Sequence, residues 1–237
     1  MRLNLGVTPE HPCSYLKEQQ SRSLMVMDEE LLSPFSYDAL LDHGYRRSGD
    51  HAYRPWCQNC KQCHAVRIPV QDFLPNRSQR RCWKTNQELV VDWLPGTLTD
   101  EQYALYLSYQ QVRHRGGAMA ESSFAQTEDF LVASWNTVKF MEIRLQQELV
   151  AVAVTDVQPN SLSAVYTFFN PKLHKRSLGS YAIMQQLSYA KSLNKNWLYL
   201  GYWIPDSPKM AYKSVFKPLE IRAPLENMAE EEWVRQC

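Results

Sequence analysis

Val138-Lys-Phe-Met-Glu-Ile-Arg144, Leu149-Val-Ala-Val-Ala-Val-Thr155 and Ser161-Leu-Ser-Ala-Val-Tyr-Thr-Phe-Phe169 are three apolar runs rich in β-branched and aromatic residues. Gln146-Gln147 and Pro159-Asn160 lie between them. Intervals this short are turns, so the runs predict consecutive antiparallel strands. A helix over residues 178–193 follows, and Trp197-Leu-Tyr-Leu-Gly-Tyr-Trp203 predicts a fourth strand. Strand, strand, strand, helix, strand is the order of an α+β domain.

Towards the amino terminus, Thr99 and Gln102 have the spacing of a capping box, predicting a helix that stops at Gly116-Gly117. A short helix is expected over residues 128–135. Leu94-Pro95-Gly96-Thr97 is the best internal boundary, giving a small cysteine-containing domain over residues 1–95 and a second domain over 96–237. In the first, Ser33 caps a helix with Pro34 in its first turn, ending at Gly44. Tyr45 to Tyr53 predicts a hairpin turning at Ser48-Gly49-Asp50, and His64 to Phe73 alternates as a strand that Pro69 places at a sheet edge. Residues 78–86 predict a helix, basic on one side.

Of 237 residues, 44% are apolar and 22% charged, which excludes a disordered chain. No run approaches the roughly 18–20 apolar residues of a membrane helix, and Met1 to Gly6 lack a secretory signal's apolar stretch. A cytoplasmic protein without membrane contact is expected. The net charge is +1, so anions must be drawn by local clusters rather than a global field. Three clusters qualify: Arg77, Arg80, Arg81 and Lys84; Arg113, His114 and Arg115; Lys172, Lys175 and Arg176.

Cys57, Cys60 and Cys63 form a CxxCxxC triple. Two-residue spacing lets thiolates converge on one ion or cluster, with Cys13 or His64 as fourth ligand. Zinc, an iron–sulfur cluster, and simple packing of small apolar side chains all remain open.

The order of elements in the second half resembles the GNAT (N-acetyltransferase) fold. There, Arg176-Ser-Leu-Gly179-Ser-Tyr181 corresponds to the basic, glycine-containing turn whose helix N-terminus holds a pyrophosphate. Ser180 and Tyr181 depart from the usual small pair, which disfavours coenzyme A and leaves a phosphate of a tRNA 3′ end as the anion.

Nine blocks together carry a more specific resemblance. They are Pro12-Cys-Ser-Tyr-Leu16, Gly44-Tyr-Arg-Arg-Ser-Gly49, Tyr53-Arg-Pro-Trp-Cys-Gln-Asn-Cys-Lys-Gln-Cys63, Arg77-Ser-Gln-Arg-Arg81 and Arg113-His114. Ser163-Ala-Val-Tyr-Thr-Phe168, Arg176-Ser-Leu-Gly179, Tyr199-Leu-Gly-Tyr-Trp-Ile204 and Lys209-Met-Ala-Tyr-Lys213 follow in order. The chain thereby resembles the bacterial aspartate/glutamate leucyltransferases, shorter relatives of the eukaryotic arginyl-tRNA–protein transferases. It departs from them at Lys17 and Ala65, where the family often has proline. The resemblance implies transfer of leucine from Leu-tRNA to proteins with an N-terminal Asp or Glu, marking them for degradation machinery downstream.

Such a reaction starts from an ester that is already activated, and the acceptor amine has an ordinary pKa of about 7.7–8.0. Alignment, oxyanion stabilisation and proton transfer then suffice. Glu142 and Asp156 are the candidate carboxylates for steering the proton, and Tyr166 the third candidate catalytic group. Ser163 and Tyr202 are candidates to hold the ester or terminal adenosine; Arg176 and Gly179, an anion; Arg80 and Arg81, tRNA phosphates. An acidic acceptor residue calls for a guanidinium, which binds carboxylate bidentately. Arg67 is preferred, completed by Ser14 and Tyr15, with Arg46, Arg47 and Arg77 next. Arginyl transfer by the same mechanism, a coenzyme A-dependent N-acetyltransferase and a zinc-stabilised RNA-binding module are the competing readings.

Overall fold

A computed structural model describes residues 2–113, 121–224 and 231–236. The expected helix stop at Gly116-Gly117, and His114 and Arg115, lie outside them. The fold is mixed α/β. The first part contributes β1 (Leu5–Val7), β2 (His11–Pro12), β3 (Gln20–Ser21), β4 (Ser23–Val26), α1 (Pro34–Asp42), β5 (Arg46–Ser48) and β6 (His51–Pro55). Next come β7 (His64–Pro69), α2 (Arg77–Thr85), β8 (Val90–Pro95), α3 (Asp100–Arg113) and α4 (Phe124–Leu131). The rest is β9 (Val138–Leu145), β10 (Glu148–Val157), β11 (Ser161–Phe169), α5 (Leu178–Ser192), β12 (Trp197–Trp203), β13 (Leu219–Pro224) and β14 (Glu231–Gln236).

Local chemistry sets several boundaries. Ser33 accepts from the Ser36 amide while Ser36 Oγ accepts from the Ser33 amide, and Pro34 opens α1. Thr99 and Gln102 make the reciprocal pair before α3. The β5–β6 hairpin closes through Gly49 at φ +57°, where an added Cβ would lie 2.2 Å from the Asp129 carbonyl. α4 starts earlier than expected because Ser123 and Gln126 form a capping box ahead of Phe124.

Eight strands form the main sheet in the order β14-β13-β7-β12-β11-β10-β9-β8. A four-stranded sheet, β1-β4-β6-β5, and the β2–β3 pair complete the strands. β7 is therefore interior, between β13 and β12, and the edge position inferred from Pro69 is wrong. Within β7 only Val66 and Arg67 pair with β13, so the missing N–H of Pro69, at the strand's last position, costs no bond on that side.

Helices cover both faces of the main sheet, which is why β10 is apolar throughout rather than alternating. Val150, Ala151 and Ala153 pack with α5 residues such as Leu178, Ile183 and Leu187, whereas Val152 and Val154 pack with Tyr106 of α3 and Leu131 of α4. A third cluster joins Tyr37, Leu41, Tyr45 and Ala52 to Tyr199 of β12. The first part is also fastened by a buried ion pair. Arg47 Nε and Nη2 bond the two carboxylate oxygens of Asp156 at 2.7 and 2.6 Å, and Nη2 bonds the Leu131 carbonyl.

Candidate active site

β11 and β12 run parallel but pair only at Ser161–Trp197, Leu162–Leu198 and Ser163–Tyr199. Both strands continue beyond that point, so they part. Each carries a bulge there: Val165 is the extra residue of β11 against β10, and Leu200 that of β12 against β7. Bulges re-aim main-chain groups and leave them without ladder partners. Two basic side chains donate to carbonyls at this fork. Arg46 Nη2 donates to the Val165 carbonyl at 2.9 Å, and Lys213 Nζ donates to the Tyr202 carbonyl at 2.5 Å.

Arg46 arrives from β5, in the other sheet, and Gly201 makes room for it. A Cβ at Gly201 would lie 2.7 Å from Arg46 Nε and 2.8 Å from Cζ, and φ is +74°. Glycine is thus required here both by backbone conformation and by space. The Tyr202 ring lies 5.8 Å from Arg46 Cζ, and its hydroxyl is spent on the Gly44 carbonyl at 2.9 Å. Arg46 makes no ion pair with any described carboxylate. Its charge reaches the phenols of Tyr15 and Tyr212, which are 49% and 47% exposed. Burial raises the pKa of both phenols, and Arg46 works against it.

Lys213 belongs to a run of 3₁₀ turns, Pro208–Val215, packed against β12. It is buried and has no carboxylate partner among the described residues. Burial first, and the charge of Arg46 second, hold its pKa well below the ordinary lysine value. A buried, unpaired lysine beside a guanidinium is an amine poised to be neutral.

Tyr166, on the parted length of β11, walls the fork. Its hydroxyl accepts from Gln110 Nε2 at 3.0 Å, and its ring packs against Tyr106, Tyr109 and Phe130. Ser163 is the buried last pair before the strands part. Tyr15 reaches the site, and Ser14 is exposed beside it.

Several expected site residues are committed elsewhere. Arg67 bonds Glu220 at 2.9 Å and Asp42 at 2.6 Å, and its guanidinium lies 3.7 Å from the Trp197 ring and 4.1 Å from that of Trp233. Its Nε and Nη1 are thus spent on carboxylates within the fold. Glu142 accepts from Gln102 and twice from Arg144, two strands away from β11. Asp156 is saturated by Arg47. Neither carboxylate can steer a proton at the fork. Arg176 bonds Glu88 at 2.7 Å and the Thr85 carbonyl, tying α5 to the end of α2 rather than facing an anion. Gly179 has an ordinary φ, and an added Cβ would meet Phe169 at 3.5 Å, an unstrained contact. Tyr202 positions Arg46 and spends its hydroxyl internally. Arg80 and Arg81 are exposed on α2.

The Cys63 thiol is pushed up to about 12 by burial, then by the nearby thiols of Cys57, Cys13 and Cys60. The four cysteines therefore gather. As placed, however, no three His, Cys, Asp or Glu side chains among the described residues are set to hold a metal ion. Cys57 Sγ instead lies 3.9 Å from Ser21 Oγ.

The chain was compared with known proteins. The model for the C terminus of arginine-tRNA-protein transferases matches residues 101–223, and that for the N terminus matches residues 11–81. The chain belongs to the arginine-tRNA-protein transferase family. Curated members named aspartate/glutamate leucyltransferase are similar over nearly their whole length. That of Pseudomonas aeruginosa is 46% identical over 93% of this chain and 94% of its own. That of Saccharophagus degradans is 41% identical over 92% and 93%, and that of Halorhodospira halophila 45% over 93% and 94%. Among solved structures, L-PGS from Bacillus licheniformis has a TM-score of 0.49 at 12% identity, covering 70% of this chain and 49% of that one. In this family member the fork brings together residues from both matched segments: Arg46 from the first, Tyr202 and Lys213 from the second.

Proposed function

We propose that this protein moves leucine from Leu-tRNA to the N-terminal Asp or Glu of an acceptor protein, in the cytoplasm, and that the β11–β12 fork is where it does so. The observation that carries the reading is Arg46: a guanidinium without a carboxylate partner at a fork that joins both family segments. The acceptor's side-chain carboxylate completes it. The antiparallel β9–β10–β11, the α5 crossover and the parted β12 fit a GNAT-like acyltransferase core. The division near residue 95 is then one of labour at the fork, the first part supplying acceptor recognition through Arg46 and the second the amine of Lys213 that serves the reacting ester. Downstream degradation of the leucylated product fits the family.

The chemistry balances without a covalent enzyme intermediate. The acceptor's neutral amine attacks the ester carbon, a C–N bond forms, and the ribose oxygen leaves as the C–O bond breaks. One proton must move from the amine to that oxygen. Neutral Lys213 accepts it and returns it to the leaving oxygen, while Arg46 holds the acceptor in line. Offering Leu-tRNA and Arg-tRNA with peptides beginning in Asp, Glu, Ala or Lys, and reading products by mass, tests the reaction. Leucine on Asp and Glu peptides alone is expected; arginine in its place, or no transfer, overturns the reading.

A further inference from the structure

Away from the fork, α2 and the later turns of α5 enclose a cavity of about 350 Å³ that the reaction above does not use. Phe73, Trp83, Met184 and Leu187 give it an apolar lining, and Arg80 and Lys191 border it. Trp83 is 36% exposed. Around it α2 presents Arg77, Arg80, Arg81 and Lys84, all exposed, and no acidic residue. Glu88, just beyond the helix, is already paired with Arg176.

An apolar cavity in a cationic field suits a ligand with flat apolar rings on an anionic thread. Single-stranded nucleic acid has that chemistry: bases stack on aromatic side chains while cations track the phosphates. Paired bases are stacked in the helix and cannot enter, so the ligand must be an unpaired nucleotide. α5 runs between the cavity and the end of β11. Leu187 is eight residues along α5 from Gly179, roughly 12 Å at helical rise, and Gly179 abuts Phe169 at the end of β11.

We propose that this cavity seats one unpaired nucleobase from the 3′ tail of the tRNA, stacked on Trp83 with flanking phosphates on Arg80 and Lys191. The proposal rests on the reading of the protein as a tRNA-dependent transferase and adds where the tail is gripped.

The test uses uncharged tRNA, intact or trimmed of its unpaired 3′ nucleotides, in direct binding titrations across salt concentration. Trp83→Ala should weaken intact tRNA about tenfold, or ~1.4 kcal/mol, and leave trimmed tRNA unaffected. Trp83→Phe should keep most of the affinity. Ser188→Trp, which fills the cavity from α5, should mimic Trp83→Ala. Stacking releases no counterions, so the salt slope should hold in Trp83→Ala and fall by roughly 0.7 in Arg80→Ala. Equal weakening of both RNAs, no weakening, or a lowered slope in Trp83→Ala overturns the seat. Failure of the unaltered protein to bind either RNA overturns the transferase reading itself.

Discussion

Arg46 and Val165 are 119 residues apart in sequence and joined by a 2.9 Å hydrogen bond from guanidinium to main-chain carbonyl. The bond places a side chain of the first matched segment against the bulge of a strand in the second. Acceptor recognition and acyl transfer thereby share one point in space.

Arg46→Ala should abolish the preference for Asp and Glu over Ala at the peptide terminus. A charge-assisted bond to the acceptor is worth about 1.5–3 kcal/mol, or roughly ten- to hundredfold in kcat/KM. Arg46→Lys should recover only part, because a point charge lacks the fork geometry. Gly201→Ala offers an independent check. Its methyl would occupy the space of Arg46 Nε and Cζ, so it should damage acceptor selection with the guanidinium still present. Steady-state kinetics on the peptide series measures all three.

Lys213 makes pH a probe of both activity and stability. Its folded pKa is depressed by burial and by Arg46, so between that pKa and the unfolded value the unfolded chain binds the extra proton. Stability should therefore rise as pH increases from neutral towards about 8, below the range where cysteines and tyrosines ionise when unfolded. Transfer should rise as pH passes through the folded pKa and level off along the stability limb, where folded Lys213 is already neutral. Lys213→Met should flatten the stability rise and remove transfer. Urea unfolding at several pH values reads the first effect; an unchanged slope in the variant would assign the pH dependence to another group.

Arg67→Ala should unfold the protein more readily without changing which peptide termini are accepted. Removing the cation leaves Glu220, whose side chain is only 10% exposed, with just the longer ion pair to Arg235 at 3.7 Å, and empties the space between Trp197 and Trp233. Losing one partner of a fully buried pair costs about 3–5 kcal/mol, and because Arg235 still faces Glu220 the loss here should fall below that range. A lowered melting temperature with intact Asp-over-Ala selection is expected. A selection defect at unchanged stability would return Arg67 to the acceptor site.

What the chain's letters disclosed divides along the range of the interactions involved. The Ser33–Ser36 cap, the Gly49 turn and strands β9 to β11 are short-range patterns, and they were readable. β8 and β13 carry no comparable local signature, β8 pairing with β9 across α3 and α4 and β13 with β7 from the first part of the chain. The same distinction separates Arg67 from Arg46. Both are arginines near strand residues, but the acid that neutralises Arg67 comes from Glu220, 153 residues away. Lys213 lay in view within Lys209-Met-Ala-Tyr-Lys213, yet an exposed and a buried lysine are spelled alike. Only the packing of Pro208–Val215 on β12 tells them apart.

The position of β7 bears on how this chain can be cut or recombined. It is laid between β13 and β12, so a fragment beginning after Pro95 would keep both neighbours and lose the strand between them. Two raw edges would then face water, each a template for pairing with another copy. Such a fragment should gather into insoluble assemblies rather than persist as a free catalytic half. Chimeras made with other family members would need to carry β7 together with the strand it completes, inherited as a unit across the seam.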